Sequence, residues 1–198
     1  MRKGKTFIVS GPSGVGKSTV LSALLEQQKN LYFSVSATTR DPRPGEEDGK
    51  QYHFINPDIF HKMIGEDEFL EYAEYVGNFY GTPKKYVDAA MAMGQDVILD
   101  IEIQGARQVH EKMPEAISVF IMPPSMTELR RRLEGRGTDT QEAIDARIAR
   151  ARQEIQEADF YNSLIVNEDV DQAADQFRAI LSAEHCRFNR TDLLRLLK

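Results

Sequence analysis

Apolar runs and segments with apolar positions at helical spacing take turns along most of this chain. Five short runs read as strands: 5–10 (Lys-Thr-Phe-Ile-Val-Ser), 32–36, 95–101, 117–122 and 163–167. The last three are almost continuously apolar, as in strands buried on both faces of a parallel sheet. Helical periodicity marks 18–26, about 104–112, 125–134, 141–158 and 170–184. The alternation predicts an α/β fold with a core of five parallel strands and helices on both faces.

Two stretches interrupt the rhythm. Residues 37–93 are polar and aromatic, with turn signals at Asp41-Pro42-Arg43-Pro44-Gly45 and Glu47-Asp48-Gly49. Alternation in Gln51-Tyr52-His53-Phe54-Ile55 predicts small antiparallel strands there, so this stretch is expected to form a lobe inserted into a core made of 1–36 and 94–184. The second interruption, Glu134-Gly135-Arg136-Gly137-Thr138-Asp139-Thr140, lies between two arginine-rich helices and reads as a short lid, about 134–147. The tail 185–198 is basic, carries Leu193, Leu194, Leu196 and Leu197, and reads as a short amphipathic helix, the expected surface for docking or for a homo-oligomer.

The stretch richest in chemistry is Gly11-Pro12-Ser13-Gly14-Val15-Gly16-Lys17-Ser18-Thr19, which fits the phosphate-binding pattern G-x-x-x-x-G-K-[ST]. Its glycines let several backbone N–H groups turn toward one phosphate chain. Lys17 supplies a point charge for the outer phosphates, and the Ser18 hydroxyl is a ligand for Mg²⁺. A strand before it and a helix after it set the helix N-terminus under the anion.

Composition narrows the partners. The chain has 198 residues and a net charge of −6, which argues against a bulk nucleic-acid binder while leaving room for a local cationic cleft. A single cysteine, Cys186, excludes an internal disulfide framework and is expected to be buried or idle. The four histidines have no metal-ligand spacing. With no apolar leader and no run long enough to span a bilayer, the reading is cytoplasmic, with no membrane partner.

The lobe indicates the second substrate. Ser36-Ala37-Thr38-Thr39-Arg40-Asp41-Pro42-Arg43 places two arginines three residues apart beside hydroxyls, on a turn held by prolines. Arginine's fork of donors suits phosphate oxygens, and Tyr52 and Tyr80 add hydroxyls.

Taken with Gly77-Asn78-Phe79-Tyr80-Gly81-Thr82, Ile98-Leu99-Asp100-Ile101 and Arg132-Leu133-Glu134-Gly135-Arg136-Gly137, these motifs resemble the bacterial guanylate kinases, from about residue 5 to about residue 184. The resemblance implies a P-loop NTPase core, ATP and GMP or dGMP as substrates, and Mg²⁺ as cofactor. It implies a GMP phosphate held by Ser36, Arg40, Arg43, Tyr52 and Tyr80, and a guanine edge read by Glu71, Thr82 and Asp100. It sets Arg136, Arg147 and Asn167 on the ATP side, beside the loop from Gly11 to Thr19. Phe79 and Thr82 stand where many members carry tyrosine and serine; Tyr80 and the Thr82 hydroxyl keep the functional groups.

Chemistry supports these roles. Guanine presents N1–H and a 2-amino group on one edge, and a carboxylate such as Glu71 accepts from both; adenine would leave that carboxylate unpaired. Taken alone, Glu71 would be a surface carboxylate and Thr82 a helix cap before Pro83. Asp100, ending a buried strand beside the loop, can meet the Mg²⁺ water shell, the substrate amine, or both. Phosphoryl transfer spreads negative charge over the moving group, so Lys17, Arg40, Arg132, Arg136 and Arg147, with Asp100, are the expected catalytic set. Arg150 and Arg152 are expected to pair with Glu154 and nearby carboxylates along their helix. A sugar-phosphate kinase of the same plan would keep the loop without needing Glu71 and Thr82. A phosphopeptide-binding scaffold would keep the lobe arginines without needing Lys17 or the lid.

Overall fold

The computed structural model describes residues 3–135, 137 and 139–187. In chain order it contains β1 (Thr6–Ser10), α1 (Lys17–Gln27), β2 (Leu31–Phe33), β3 (Ala37–Thr38), β4 (His53–Phe54), α2 (Pro57–Gly65), β5 (Phe69–Tyr75), β6 (Asn78–Pro83) and α3 (Lys84–Ala92). Then follow β7 (Asp96–Asp100), α4 (Ile103–Lys112), β8 (Ile117–Met122), α5 (Met126–Glu134), α6 (Gln141–Gln156), β9 (Ser163–Val166) and α7 (Val170–Cys186).

Five strands form one parallel sheet in the order β2-β7-β1-β8-β9. Every residue of β1 is buried, so the strand has no solvent face and reads as a continuous apolar run. One face packs Phe7, Val9, Ile98 and Ile121 against Leu21 and Leu24 of α1 and Phe177 of α7. The other packs Ile8, Val97 and Leu99 against Ala106 and Val109 of α4 and Val87, Ala90 and Met91 of α3. α3 thus sits with the core sheet, although its sequence lies within 37–93. A smaller cluster of Leu129, Leu133, Ile144 and Ile148 joins α5 to α6.

Between β2 and its neighbour β7 the chain builds a second sheet in the order β4-β3-β6-β5. The strand at His53–Phe54 pairs with β3 in parallel, whereas alternation alone points to antiparallel strands. The helix α2 intervenes between β4 and the antiparallel hairpin β5–β6, so a hairpin partner for β4 is not the next strand along. Asn56 caps α2 through its side chain on the Asp58 N–H, with Pro57 at the first helical position, and Phe60 packs on Phe69. Asp67, between α2 and β5, pairs with Lys84 and Lys112, whose hydrogen bonds hold its carboxyl at a pKa of about 2.

Residues 188–198 of the expected tail helix lie outside the described residues; His185 and Cys186 close α7, and Cys186 is exposed rather than buried.

The β5–β6 hairpin turns on Val76 and Gly77, both with positive φ, 50° and 72°. That geometry suits the right-handed twist of a tight hairpin but places a β-branched, 81% exposed side chain in the left-handed region. Such a backbone costs an L-residue on the order of 1 kcal/mol, which asparagine tolerates better. Val76→Asn should therefore raise the thermal midpoint by about 2 °C; an unchanged or lower midpoint in calorimetry would contradict this account of the turn.

Candidate functional site

Four of the helices begin under a capping side chain: Asn56 for α2, Ser125 for α5, Thr140 for α6 and Asp169 for α7. Helix α1 does not. Its N-cap is Gly16, with φ 90° and no side chain, and no acidic residue stands in its first turn. Its free N–H groups and dipole are left facing the loop, which is how a helix end offers itself to an anion. A side chain at Gly16 would need both the left-handed backbone and the space held by Asn167, whose Nδ2 stands 2.6 Å from where a Cβ would lie.

The loop is braced from behind. The Val15 carbonyl accepts from Asn167 Nδ2 at 2.7 Å and from Arg132 Nη1 at 3.1 Å, while Arg132 Nη2 donates to the Asn167 carbonyl. Arg132 Nε is held by Glu128, whose carboxyl is drawn to a pKa of about 2 by Arg131 and Arg132. Arg132 and Asn167 therefore grip the outer wall of the loop, and neither lines the cleft in front of it.

That cleft encloses about 380 Å³. Gly11 to Ser18 form its floor, with Pro12 buried and Ser18 exposed, and Thr19 points to solvent one residue further on. Parallel pairing of β1 with β7 sets Val9 beside Asp100, so the strand that leads into the loop carries Asp100 next to it. Lys17 Nζ and Asp100 Oδ1 lie 2.6 Å apart there. From α6, Arg147 reaches the loop: Nη1 donates to Ser13 Oγ at 3.1 Å and Nη2 to Asp139. Arg150 also lines the cleft, bonding Glu154 as expected and Glu102 in addition. Arg136 lies outside the described residues.

A second group gathers on the lobe. Arg40 Nη2 donates to both Glu46 carboxylate oxygens at 2.9 Å, and its guanidinium lies 5.5 Å from the Tyr52 ring centroid. Tyr52 meets Tyr80 edge to face at 5.8 Å. Glu46 also accepts from the Arg43 N–H at 2.7 Å, and that bond, with Arg40, holds its carboxyl below the usual range. The Arg43 side chain is exposed, and Ser36 sits half-buried just before β3. Burial pushes the Tyr52 hydroxyl pKa up, and neighbouring Tyr80 adds to this.

Glu71 stands on the lobe strand β5. It faces Thr82 across the β5–β6 ladder, and Thr82 Oγ1 donates to Glu71 Oε1 at 2.6 Å. Glu71 is only 7% exposed and, among the described residues, has no cation in contact, so burial raises its pKa. Neither reading taken from these residues in isolation survives: Glu71 is not a surface carboxylate, and Thr82 bonds to Glu71 instead of capping α3.

A family model described as guanylate kinase matches residues 3–184. This chain belongs to the guanylate kinase family. It is 50% identical over 188 residues to guanylate kinase of Halalkalibacterium halodurans, covering 95% of this chain and 92% of that protein. It is 49% identical over 198 residues to that of Carboxydothermus hydrogenoformans, covering 100% and 97%. The crystal structure of guanylate kinase from Anaplasma phagocytophilum superposes with a TM-score of 0.74 at 39% identity, over 94% of this chain and 89% of that one.

The structure adds residues to the candidate site that the motifs do not single out. In sequence Glu46 is only one more charge after the prolines, yet it holds the Arg40 fork. Asp139, just before α6, steadies Arg147. Tyr75 comes from the tip of the β5–β6 hairpin to line the cleft opposite the loop. No spacing rule points to any of them, because each depends on a contact between distant elements or within an irregular turn.

The buried carboxylate makes a pH-dependent prediction. A raised folded pKa means that the folded state holds a proton which the unfolded chain has released, so stability falls as pH climbs from about 4.5, the unfolded value, through the folded pKa. Glu71→Gln removes that dependence. In nucleotide-free protein its stability relative to wild type should grow over this range; parallel curves in denaturant titrations at pH 4.5 and pH 7.5 would show that the carboxylate carries no such cost.

Proposed function

We propose that this protein transfers the γ-phosphoryl group of ATP to GMP, giving ADP and GDP, and accepts dGMP in the same way. Membership of the guanylate kinase family supports the reaction. The observation that carries the acceptor assignment is the buried Glu71 carboxylate held by Thr82, on the same small sheet that leads into the arginine–tyrosine cluster.

In this reading the core sheet serves ATP. The open N-terminus of α1 and the amides of Gly11 to Thr19 take the phosphates, Lys17 neutralises the outer ones, and Asp100 keeps Lys17 Nζ aimed across the cleft. Arg147, already on Ser13, supplies charge to the moving phosphoryl group, together with Arg136 of the lid. Arg132 and Asn167 contribute by fixing the Val15 carbonyl and so the loop's curvature. The lobe serves GMP. Ser36, Arg40, Arg43, Tyr52 and Tyr80 take its phosphate, with Glu46 setting the direction of Arg40. Glu71 accepts from guanine N1–H and the 2-amino group, Thr82 and Asp100 complete the edge, and adenine leaves Glu71 unpaired. The acceptor is an ionised phosphate oxygen, so no general base has to be built.

Oxygen donors without a cluster of acids suit Mg²⁺ bound largely through substrate phosphates: among the described residues no group of three or more His, Cys, Asp or Glu forms a metal site. The Ser18 hydroxyl would hold the ion, with Asp100 reaching its water shell. Bound there, Mg²⁺ would neutralise charge on the phosphate oxygens. Among the described residues no helix is long and apolar enough to cross a membrane. The reaction belongs to cytoplasmic nucleotide metabolism, with small molecules and not nucleic acid as partners.

The test is ADP release from ATP–Mg²⁺ with GMP, dGMP, AMP, CMP, UMP and a ribose phosphate as acceptors. Turnover should be confined to GMP and dGMP. Turnover with the sugar phosphate alone would overturn the base-reading site, and tight phosphopeptide binding without turnover would overturn catalysis. Lys17→Ala should lower kcat by about 100-fold or more, as for loss of one preorganised charge. Glu71→Gln, which puts a donor where an acceptor is needed, should lower kcat/KM for GMP by at least about tenfold.

A further inference from the structure

One face of α4 carries Gly105, Gln108 and Lys112, spaced so that all three meet the same side of the neighbouring strand. That strand is β5, the outer strand of the lobe sheet and the one that bears Glu71. Gln108 closes its exposed ladder as a strand would: the Tyr72 N–H donates to Gln108 Oε1 at 3.1 Å, and Gln108 Nε2 donates to the Tyr72 carbonyl at 3.0 Å. Lys112 Nζ donates to the Phe69 carbonyl at 2.8 Å. These bonds bracket Glu71 on both sides along the backbone.

The side chain of Glu71 is bracketed as well. Thr82 holds Oε1. On the other side stands Gly105, where an added Cβ would lie 2.8 Å from Oε2, 3.2 Å from Cδ and 3.3 Å from Cγ. The nearest contacts of that Cβ are all with the Glu71 side chain. Gly105 is helical with ordinary φ, so its lack of a side chain answers to space and not to backbone conformation.

We propose that Gly105 and Gln108 are positioning residues for guanine selectivity: Gln108 fixes the height of the Tyr72–Glu71 backbone, and the bare Cα of Gly105 sets the depth to which the Glu71 carboxylate retreats. This rests on Glu71 reading guanine. A methyl group at 105 is absorbed by displacement of the Glu71 carboxylate, not by the helix, because the carboxylate is the end of a side chain. The damage therefore falls on the site and spares the fold; alanine is the better helix former besides.

The experiment is steady-state kinetics of Gly105→Ala with GMP and with inosine monophosphate, which lacks the 2-amino group. The expected result is a KM for GMP raised by about tenfold, the scale of one misplaced hydrogen bond, an unchanged KM for ATP, a reduced preference for GMP over inosine monophosphate, and a thermal midpoint no lower than wild type. Gln108→Leu should shift the same preference in the same direction. In a Glu71→Gln background, Gly105→Ala should have no further effect on GMP, since both act through one group. Unchanged preference in Gly105→Ala, equal rises in both KM values, or an effect that persists without Glu71 would each overturn the proposal. Failure of the underlying reading is separately visible, as Glu71→Gln with undisturbed GMP kinetics.

Discussion

Everything in the cleft is referred to the ion pair between Lys17 and Asp100. Lys17 opens α1 just past the loop that follows β1, Asp100 ends β7, and the parallel pairing of β1 with β7 brings them together. The pairing is in turn secured by a sheet whose central strand is wholly buried. A slip of one residue would turn Asp100 to the other face of the sheet and leave the lysine without its partner. The apolar core thus does more than hold the molecule together: it sets the register, and the register sets the charges.

Around that pair, the protein solves opposite electrostatic problems in adjoining places. At the loop it gathers N–H groups and cations and withholds the acidic and capping side chains found at the starts of α2, α5, α6 and α7. At Glu71 it does the reverse, burying an acceptor with a hydroxyl for company and, among the described residues, no cation in contact. Each arrangement costs stability in isolation. Both fit the proposed reading, in which a ligand supplies what is missing: anionic oxygens at one end, ring N–H donors at the other.

The core was legible because its signals are local. Buried parallel strands appear as apolar runs, and the phosphate loop is a contiguous motif whose flanks check it. The lobe was legible only in part. Helix α2 has one fully buried residue, Phe60, and α3 lies in a stretch already set apart as lobe. Strands β3 and β4 are two residues long, too short for any period to declare itself, and the parallel pairing of His53–Phe54 is decided by the path of the intervening loop. Arg40, Tyr52 and Glu71 could be named from the resemblance; what could not be read was that Glu46 occupies the Arg40 fork, or that Arg132 faces the back of the loop. Of the two states expected for Cys186, buried or idle, the first does not hold, because a small apolar residue near the end of a helix need not lie on its inner face.

The chain leaves the core sheet at Phe33 and re-enters it at Asp96, on the strand lying directly alongside. Topologically the whole lobe is therefore one long excursion between two hydrogen-bonded neighbours. The entropy of closing such an excursion grows only logarithmically, by about 0.6 kcal/mol for each doubling of its length. A core of this kind is nearly indifferent to how much chain it loops out at that point. The irregular stretch between β3 and β4 can lengthen or shrink with little effect on the assembly of the core sheet, whereas α3, packed on that sheet through Val87, Ala90 and Met91, is the anchored end of the crossing.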